Sequence, residues 1–197
     1  GLPSNLKLAN QYLKPISIKD KKIIFLYGGS QGSIPLLNIL ILIFKNIDKK
    51  FLTEIKLFIQ APKNSKNFIE KKLNNLKINF EIKEFYENIE EILSITNIAI
   101  TRAGSGTIND LICFKIPSII IPLPHSIYNH QYYNAKYLSD RNAAILIDEK
   151  SINIDKTSEV LKKLLLDNKL INKMKQKLNN INLQDANKII LKKIYYE

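Results

Sequence analysis

Residues 97–111, NIAITRAGSGTINDL, decide the fold. Ile98, Ala99 and Ile100 form the short apolar run of a buried strand. Arg102 to Gly106 breaks that run, and residues 107–114 resume with apolar side chains at helical spacing. A strand that turns through glycine into a helix is the repeating unit of a parallel sheet, because a parallel neighbour requires a crossover.

The same alternation extends in both directions. Strands are predicted over residues 22–27 (KIIFLY), 56–60, 78–84, 97–101, 118–121 and 143–147. Helices are predicted over 33–46, 64–76, 89–95, 107–114 and 131–140, with two or three more at the end of the chain. The expected class is α/β: a parallel sheet covered by helices on both faces. Residues 1–21, with Pro3 and Pro15, are expected to form a lead-in between domains, and residues 22–197 a single domain.

Composition narrows the function. The chain has 197 residues, enough for a substantial core, and its hydrophobic content of 45% is ordinary for a soluble globular domain. Its formal charge of +12 favours anionic partners. The lysines are scattered, however, and Ile, Asn and Lys are abundant throughout, which marks a compositional bias rather than a patch. Nucleic-acid binding would call for clustered cations with interleaved aromatics, whereas Lys49-Lys50, Lys71-Lys72, Lys162-Lys163 and Lys192-Lys193 fall on different elements. No nucleic-acid partner is expected. The single cysteine, Cys113, lies in an apolar helical stretch and is expected in the core. With two histidines and one cysteine, no metal site is expected. The longest apolar run, residues 34–47, is interrupted and too short to span a bilayer.

Ligands of open parallel sheets bind beyond the carboxyl ends of the strands. Two glycine-bearing turns fall there: Gly28, Gly29, Ser30, Gln31, Gly32 and Ser33 after the first strand, and Arg102, Gly104, Ser105, Gly106 and Thr107 after the fourth. Glycine permits close approach of the backbone, and the following helix start offers unpaired N–H groups to an anion such as a diphosphate. The first turn is neither GxGxxG nor a P-loop, and alone it fits a plain strand-to-helix turn equally well. Asp110 lies three residues after Thr107 on the same helix face. Its carboxylate suits the two hydroxyls of a ribose, or simply an acid near a helix start. His130, Gln131 and Asn134 gather amide and imidazole groups suited to sugar hydroxyls; the plainer alternative is a helix capped by Asn129. Together these features point to nucleotide binding.

The motifs YGGSQGS, TRAGSGTINDL, PSIIIPLP and NHQYYNAKYL, in this order, together with DANKIILKKI near the end, resemble the C-terminal half of the MurG family of N-acetylglucosaminyltransferases. The resemblance implies the Rossmann-like C-terminal domain of a GT-B glycosyltransferase, which binds UDP-N-acetylglucosamine. It implies that Gly28 to Ser33 and Gly104 to Thr107 line the diphosphate and sugar, and that the backbone at Tyr86 meets uracil. Asp110 would hold the ribose in place of a family Glu, and His130 and Gln131 would meet the sugar hydroxyls. Asn5 and Ile34 stand where basic residues are frequent, and Lys115 where Gly is frequent. The implied reaction transfers N-acetylglucosamine to lipid I at the cytoplasmic face of the membrane, peripherally and with no cofactor. The acceptor site and catalytic base are expected in an N-terminal domain, so this chain alone is expected to bind donor without transferring it. Two other readings are a stand-alone donor subunit of a two-subunit GT-B enzyme and a nucleotide-sugar-binding module without catalysis.

Overall fold

The computed structural model describes residues 21–28 and 34–181. Six strands form one parallel sheet: β1 Lys22–Tyr27, β2 Ile55–Gln60, β3 Asn79–Lys83, β4 Ile98–Thr101, β5 Ser118–Ile120 and β6 Ala144–Leu146. Their order is β3-β2-β1-β4-β5-β6. Eight α-helices are described: α1 Ile34–Lys45, α2 Lys49–Leu52, α3 Lys66–Asn74, α4 Ile89–Ile95, α5 Ser105–Cys113, α6 His130–Ser139, α7 Ile154–Leu166 and α8 Asn168–Asn179. The strand order reverses direction between β1 and β4, which makes that crevice the topological switch point of the sheet.

Period-two side chains on the strands feed two cores. Ile24 and Leu26 of β1 join Leu36, Leu40 and Phe44 of α1 and Leu161 and Leu164 of α7 on one face. Ile23, Phe25 and Tyr27 join Leu93 of α4, Leu111 and Ile112 of α5 and Ala135 and Leu138 of α6 on the other. Strands buried on both faces explain the unbroken apolar run KIIFL, and each fully buried Ile, Leu or Phe contributes roughly 1.5–3 kcal/mol. Cys113 is buried in the second core, as expected.

The predicted elements are all present among the described residues, with ends shifted by at most two residues. The predicted helix over 64–76 begins as a 3-10 turn at Lys63–Ser65 and becomes α3 at Lys66–Asn74. The short helix α2 was not anticipated. Four residues carry no periodicity; its entry is fixed by Asp48, whose Oδ1 accepts from Lys50 N at 3.0 Å. Helix α5 begins at Ser105 rather than Thr107, which moves Asp110 out of the first turn. The predicted segments 1–20 and 29–33 and the DANKIILKKI helix lie outside the described residues.

Helix α5 ends in a Schellman motif, with Ile116 N bonded to Leu111 O at 2.9 Å and Lys115 N to Ile112 O at 3.3 Å. Lys115 occupies its left-handed position at φ 55°. Glycine suits that position best, so a lysine there carries backbone strain.

Candidate functional site

The carboxyl ends of β1 and β4 are locked in register. Tyr27 pairs with Thr101 in the ladder, and Thr101 Oγ1 donates to Tyr27 O at 2.5 Å. Gly28 and Arg102 therefore leave the sheet side by side at the switch point. From there β4 enters α5 through Ala103 and Gly104. Gly104 is the N-cap residue and brings no side chain; the first intrahelical bond is Ile108 N to Gly104 O at 3.0 Å. The N–H groups of Ser105, Gly106 and Thr107 precede that bond, and Ser105 and Gly106 are exposed. Gly106 has no left-handed φ, and a Cβ built there meets nothing within 4 Å among the described residues.

The turn is held from behind. Gln131 Oε1 accepts from Ala103 N at 3.2 Å and from Leu123 N at 3.0 Å, while Asn134 Nδ2 donates to Ala103 O at 3.0 Å. Gln131 and Asn134, predicted to touch sugar, thus position the turn before α5; among the described residues no bond to the Gln131 amide nitrogen is seen. Arg102 is 4% exposed. Its guanidinium donates to Ile121 O and Pro122 O, at 3.0 and 3.2 Å, and pairs with Glu149. It ties the end of β5 and the loop after β6 to this rim. His130 is exposed, and its Nδ1 lies 2.8 Å from Ile127 O. A carbonyl only accepts, so Nδ1 carries a hydrogen in this contact. Asn129 does not cap α6: its backbone is left-handed at φ 54° and its side chain makes no cap bond. Instead Ser126 Oγ accepts from Gln131 N at a long 3.4 Å.

Asp110 is half-buried behind the α5 turn. Burial, with the Glu90 carboxylate second, raises its carboxyl to about 7. Thr107 is buried, and its Oγ1 lies 3.8 Å from the position a Cβ on Gly104 would take. Tyr86 is 4% exposed, whereas its neighbours Phe85 and Glu87 are exposed. Its ring is set edge-on to Phe25 at 5.7 Å, and Phe25 stacks on Tyr27 at 4.5 Å. An aromatic row thus runs from Tyr86 through Phe25 to Tyr27. Of the predicted set, Gly28, Arg102, Gly104 to Thr107, Asp110, Tyr86, His130 and Gln131 belong to segments at the carboxyl edge of the sheet. Gly29, Ser30, Gln31, Gly32 and Ser33 lie outside the described residues.

Three residues of this neighbourhood escaped sequence reasoning. Tyr27 looked like one more core residue, although a tyrosine at the last position of an Ile/Leu/Phe strand was a legible signal. Glu149 pairs with Arg102 across 47 positions, a distance no local pattern spans. Phe85, 67% exposed beside Tyr86, was visible as an aromatic after a strand.

A groove of about 630 Å³ lies elsewhere, lined by Glu159, Lys162, Leu166, Asn168 and their neighbours. It adjoins a second cavity formed with Lys22 and Ile55 at the amino ends of the strands. Parallel sheets bind at the opposite edge, where the uncapped helix and the acid are. A cavity of about 270 Å³ does lie at that edge, between Pro122–Pro124, Tyr132, Tyr133 and Asp148.

Residues 23–190 match the glycosyltransferase family 28 C-terminal domain. The chain belongs to this family. Among relatives of this family 28 domain is a Rickettsia prowazekii (strain Madrid E) protein named UDP-N-acetylglucosamine–N-acetylmuramyl-(pentapeptide) pyrophosphoryl-undecaprenol N-acetylglucosamine transferase. It is 34% identical over 158 residues, covering 80% of this chain and 41% of that protein. A Campylobacter jejuni protein of the same name (strain 81-176) is 34% identical over 178 residues, covering 90% of this chain and 49% of its own length. The chain spans about half the length of the curated relatives it matches. The crystal structure of Acinetobacter baumannii MurG superposes with a TM-score of 0.82 at 20% identity, over 93% of this chain and 54% of that one. The resemblance to the MurG family and the Rossmann-like, GT-B fold expected from sequence both hold.

Proposed function

We propose that this family 28 domain binds UDP-N-acetylglucosamine at the carboxyl edge of its sheet and serves as the donor half of the transferase that converts lipid I to lipid II. The observation that carries this reading is the start of α5. It is a helix end with free N–H groups, an exposed Gly106 with open space on its Cβ side, and a half-buried acid one turn further on. Glycine inside a helix costs about 1 kcal/mol relative to alanine, and neither its φ nor its described neighbours demand it here. Close approach of a ligand does.

In this reading the diphosphate lies against the N–H groups of Ser105, Gly106 and Thr107. A helix dipole contributes roughly 0.3–1 kcal/mol to such an anion at an exposed site, and the hydrogen bonds add to it. Asp110 accepts from the ribose hydroxyls, and the backbone beside Tyr86 meets the base. The Gln131 amide and His130 Nε2 face the sugar hydroxyls. During transfer the negative charge on the departing UDP grows, and the fixed N–H groups at α5 stabilise it without reorganising. Gly28 to Ser33, of which only Gly28 lies within the described residues, are proposed as further diphosphate contacts. Acceptor and general base come from the other half of the two-domain enzyme. The acceptor in the relatives' name is linked to undecaprenol, so the enzyme works at a membrane surface. Among the described residues no helix is long and apolar enough to cross one.

Calorimetric titration with UDP-N-acetylglucosamine, UDP-glucose and UDP tests the reading. The N-acetylglucosamine nucleotide is expected to bind best, and Asp110→Ala to weaken all three by roughly ten- to a hundredfold, the loss of one or two hydrogen bonds to a charged group. Equal heats for wild type and Asp110→Ala would remove Asp110 from the site.

A further inference from the structure

Tyr27 carries a feature that neither the fold nor the proposed ligand contacts account for. Its ring is 2% exposed and stacked on Phe25, at 4.5 Å and 7° between planes. Its hydroxyl is buried without a hydrogen-bond partner of good geometry among the described residues. That oxygen lies beside the Thr107 hydroxyl and within the field of the Asp110 carboxylate, both on α5. A buried unpaired hydroxyl is costly, and Phe at this position would keep the stack without that cost. Such orphans persist where a second state of the site uses them.

We propose that Tyr27 is a positioning residue for Asp110: its hydroxyl is the donor, directly or through Thr107 Oγ1, that holds the Asp110 carboxylate in place once a nucleotide ribose engages it. The proposal rests on the donor-site reading above. Asp110 is one methylene shorter than glutamate, and a hydrogen bond from beneath fixes the rotamer that presents its oxygens to a diol. Of the groups near Asp110, Glu90 on α4 opposes its ionisation, Tyr27 lies within its field, and Thr107, three residues earlier on α5, lies beside the Tyr27 hydroxyl. Burial keeps the Tyr27 phenol protonated far above neutral pH, so it stays a donor throughout the working range. Free Asp110 is part protonated at neutrality, and a protonated carboxyl is a weaker acceptor for Tyr27 than a carboxylate. A diol that hydrogen-bonds to the carboxylate favours the ionised form, and Tyr27 then gains its stronger acceptor.

Two measurements on wild type and Tyr27→Phe test this. In the first, the ¹³C carboxyl signal of Asp110 is titrated in the ligand-free protein. The wild-type midpoint is expected near 7, and Tyr27→Phe is expected to raise it. An unmoved midpoint overturns the proposal, whatever the ligand. In the second, UDP-N-acetylglucosamine is titrated between pH 6 and 8.5. Its diphosphate is esterified at both ends, so it lacks the terminal phosphate ionisation that UDP has near pH 6. Wild-type affinity should rise with pH through about 7. Tyr27→Phe should bind about three- to tenfold more weakly at pH 7, the value of one hydrogen bond, with an unchanged or higher melting temperature. Weaker binding with a lower melting temperature and an unshifted profile marks a merely structural tyrosine and overturns the proposal. If wild type ignores UDP-N-acetylglucosamine at every pH, the donor reading falls and takes the ligand part of the proposal with it. The carboxyl titration still decides whether Tyr27 and Asp110 are coupled.

Discussion

Arg102 and Glu149 form a partly buried ion pair that fastens the turn after β4 to the loop after β6. The arginine also donates to the carbonyls of Ile121 and Pro122, so three loops at the carboxyl edge of the sheet share one side chain. A guanidinium fits this role because its planar fork serves several acceptors at once. Removing one member of such a pair strands the other. Glu149→Leu is expected to destabilise the domain by about 2–3 kcal/mol, the lower part of the range for buried pairs because Glu149 stays partly exposed. Glu149→Gln, which keeps an acceptor, should cost about half as much. Urea unfolding of the three proteins measures both. No loss in Glu149→Leu would mean that the pair does not organise this rim.

Gln131 has two jobs that substitution separates. Its Oε1 satisfies Ala103 N and Leu123 N, and in the proposed reading its Nε2 donates to the sugar. Gln131→Glu keeps the acceptor and loses the donor. It should retain the melting temperature within a few degrees while weakening UDP-N-acetylglucosamine more than UDP. Gln131→Leu leaves two N–H groups unpaired and should cost about 1–3 kcal/mol of stability. Differential scanning calorimetry and titration with both nucleotides distinguish the outcomes.

Asp110 links stability to pH in an uncommon direction. Its carboxyl is raised to about 7 in the fold, against an ordinary 3.8. Between these values the folded state binds more protons than the unfolded one, so stability falls as pH rises from about 4 to about 7. The contribution is fully present below the unfolded value and lost above the folded one. Asp110→Asn should flatten that slope and leave the domain more stable than wild type at pH 8, by an amount on the order of 1–3 kcal/mol. Melting temperatures of both proteins from pH 4 to 8 check this; parallel curves would contradict it.

Lys115 holds the left-handed position of the Schellman motif that ends α5. Lys115→Gly is expected to stabilise the domain by about 0.5–1 kcal/mol, since relief of the left-handed strain exceeds the added entropy of the unfolded chain. Nucleotide affinity should not change, because this end of α5 is remote from the anion turn. Equilibrium unfolding gives the sign directly.

Much of this architecture was legible in local pattern. KIIFLY and NIAIT are strands because both faces of the sheet are covered, and the glycine turn after NIAIT marks the helix start. Asp110 was legible by its spacing from Thr107. Long-range pairings were not. Nothing near Arg102 announces Glu149, and nothing in His130-Gln131 says that Gln131 spends its oxygen on Ala103 and Leu123. Arg102 was expected as a ligand contact, whereas its burial and carbonyl partners favour an anchoring role. Asn129 has the composition of a helix cap, but its left-handed backbone turns the side chain away from that duty. Tyr27 was hidden by its neighbours: in an apolar strand, the one hydroxyl is easily counted as core.

The central claim is that a sugar nucleotide rests on the start of α5, and amide chemical-shift mapping of the ¹⁵N-labelled chain with UDP-N-acetylglucosamine addresses it most directly. The largest shifts are predicted at Ser105, Gly106, Thr107, Asp110 and Gln131 and in the backbone around Tyr86, with little change along α7 and α8. Shifts concentrated instead at Lys162, Leu166 and Asn168, in the large groove at the amino edge of the sheet, would contradict the account.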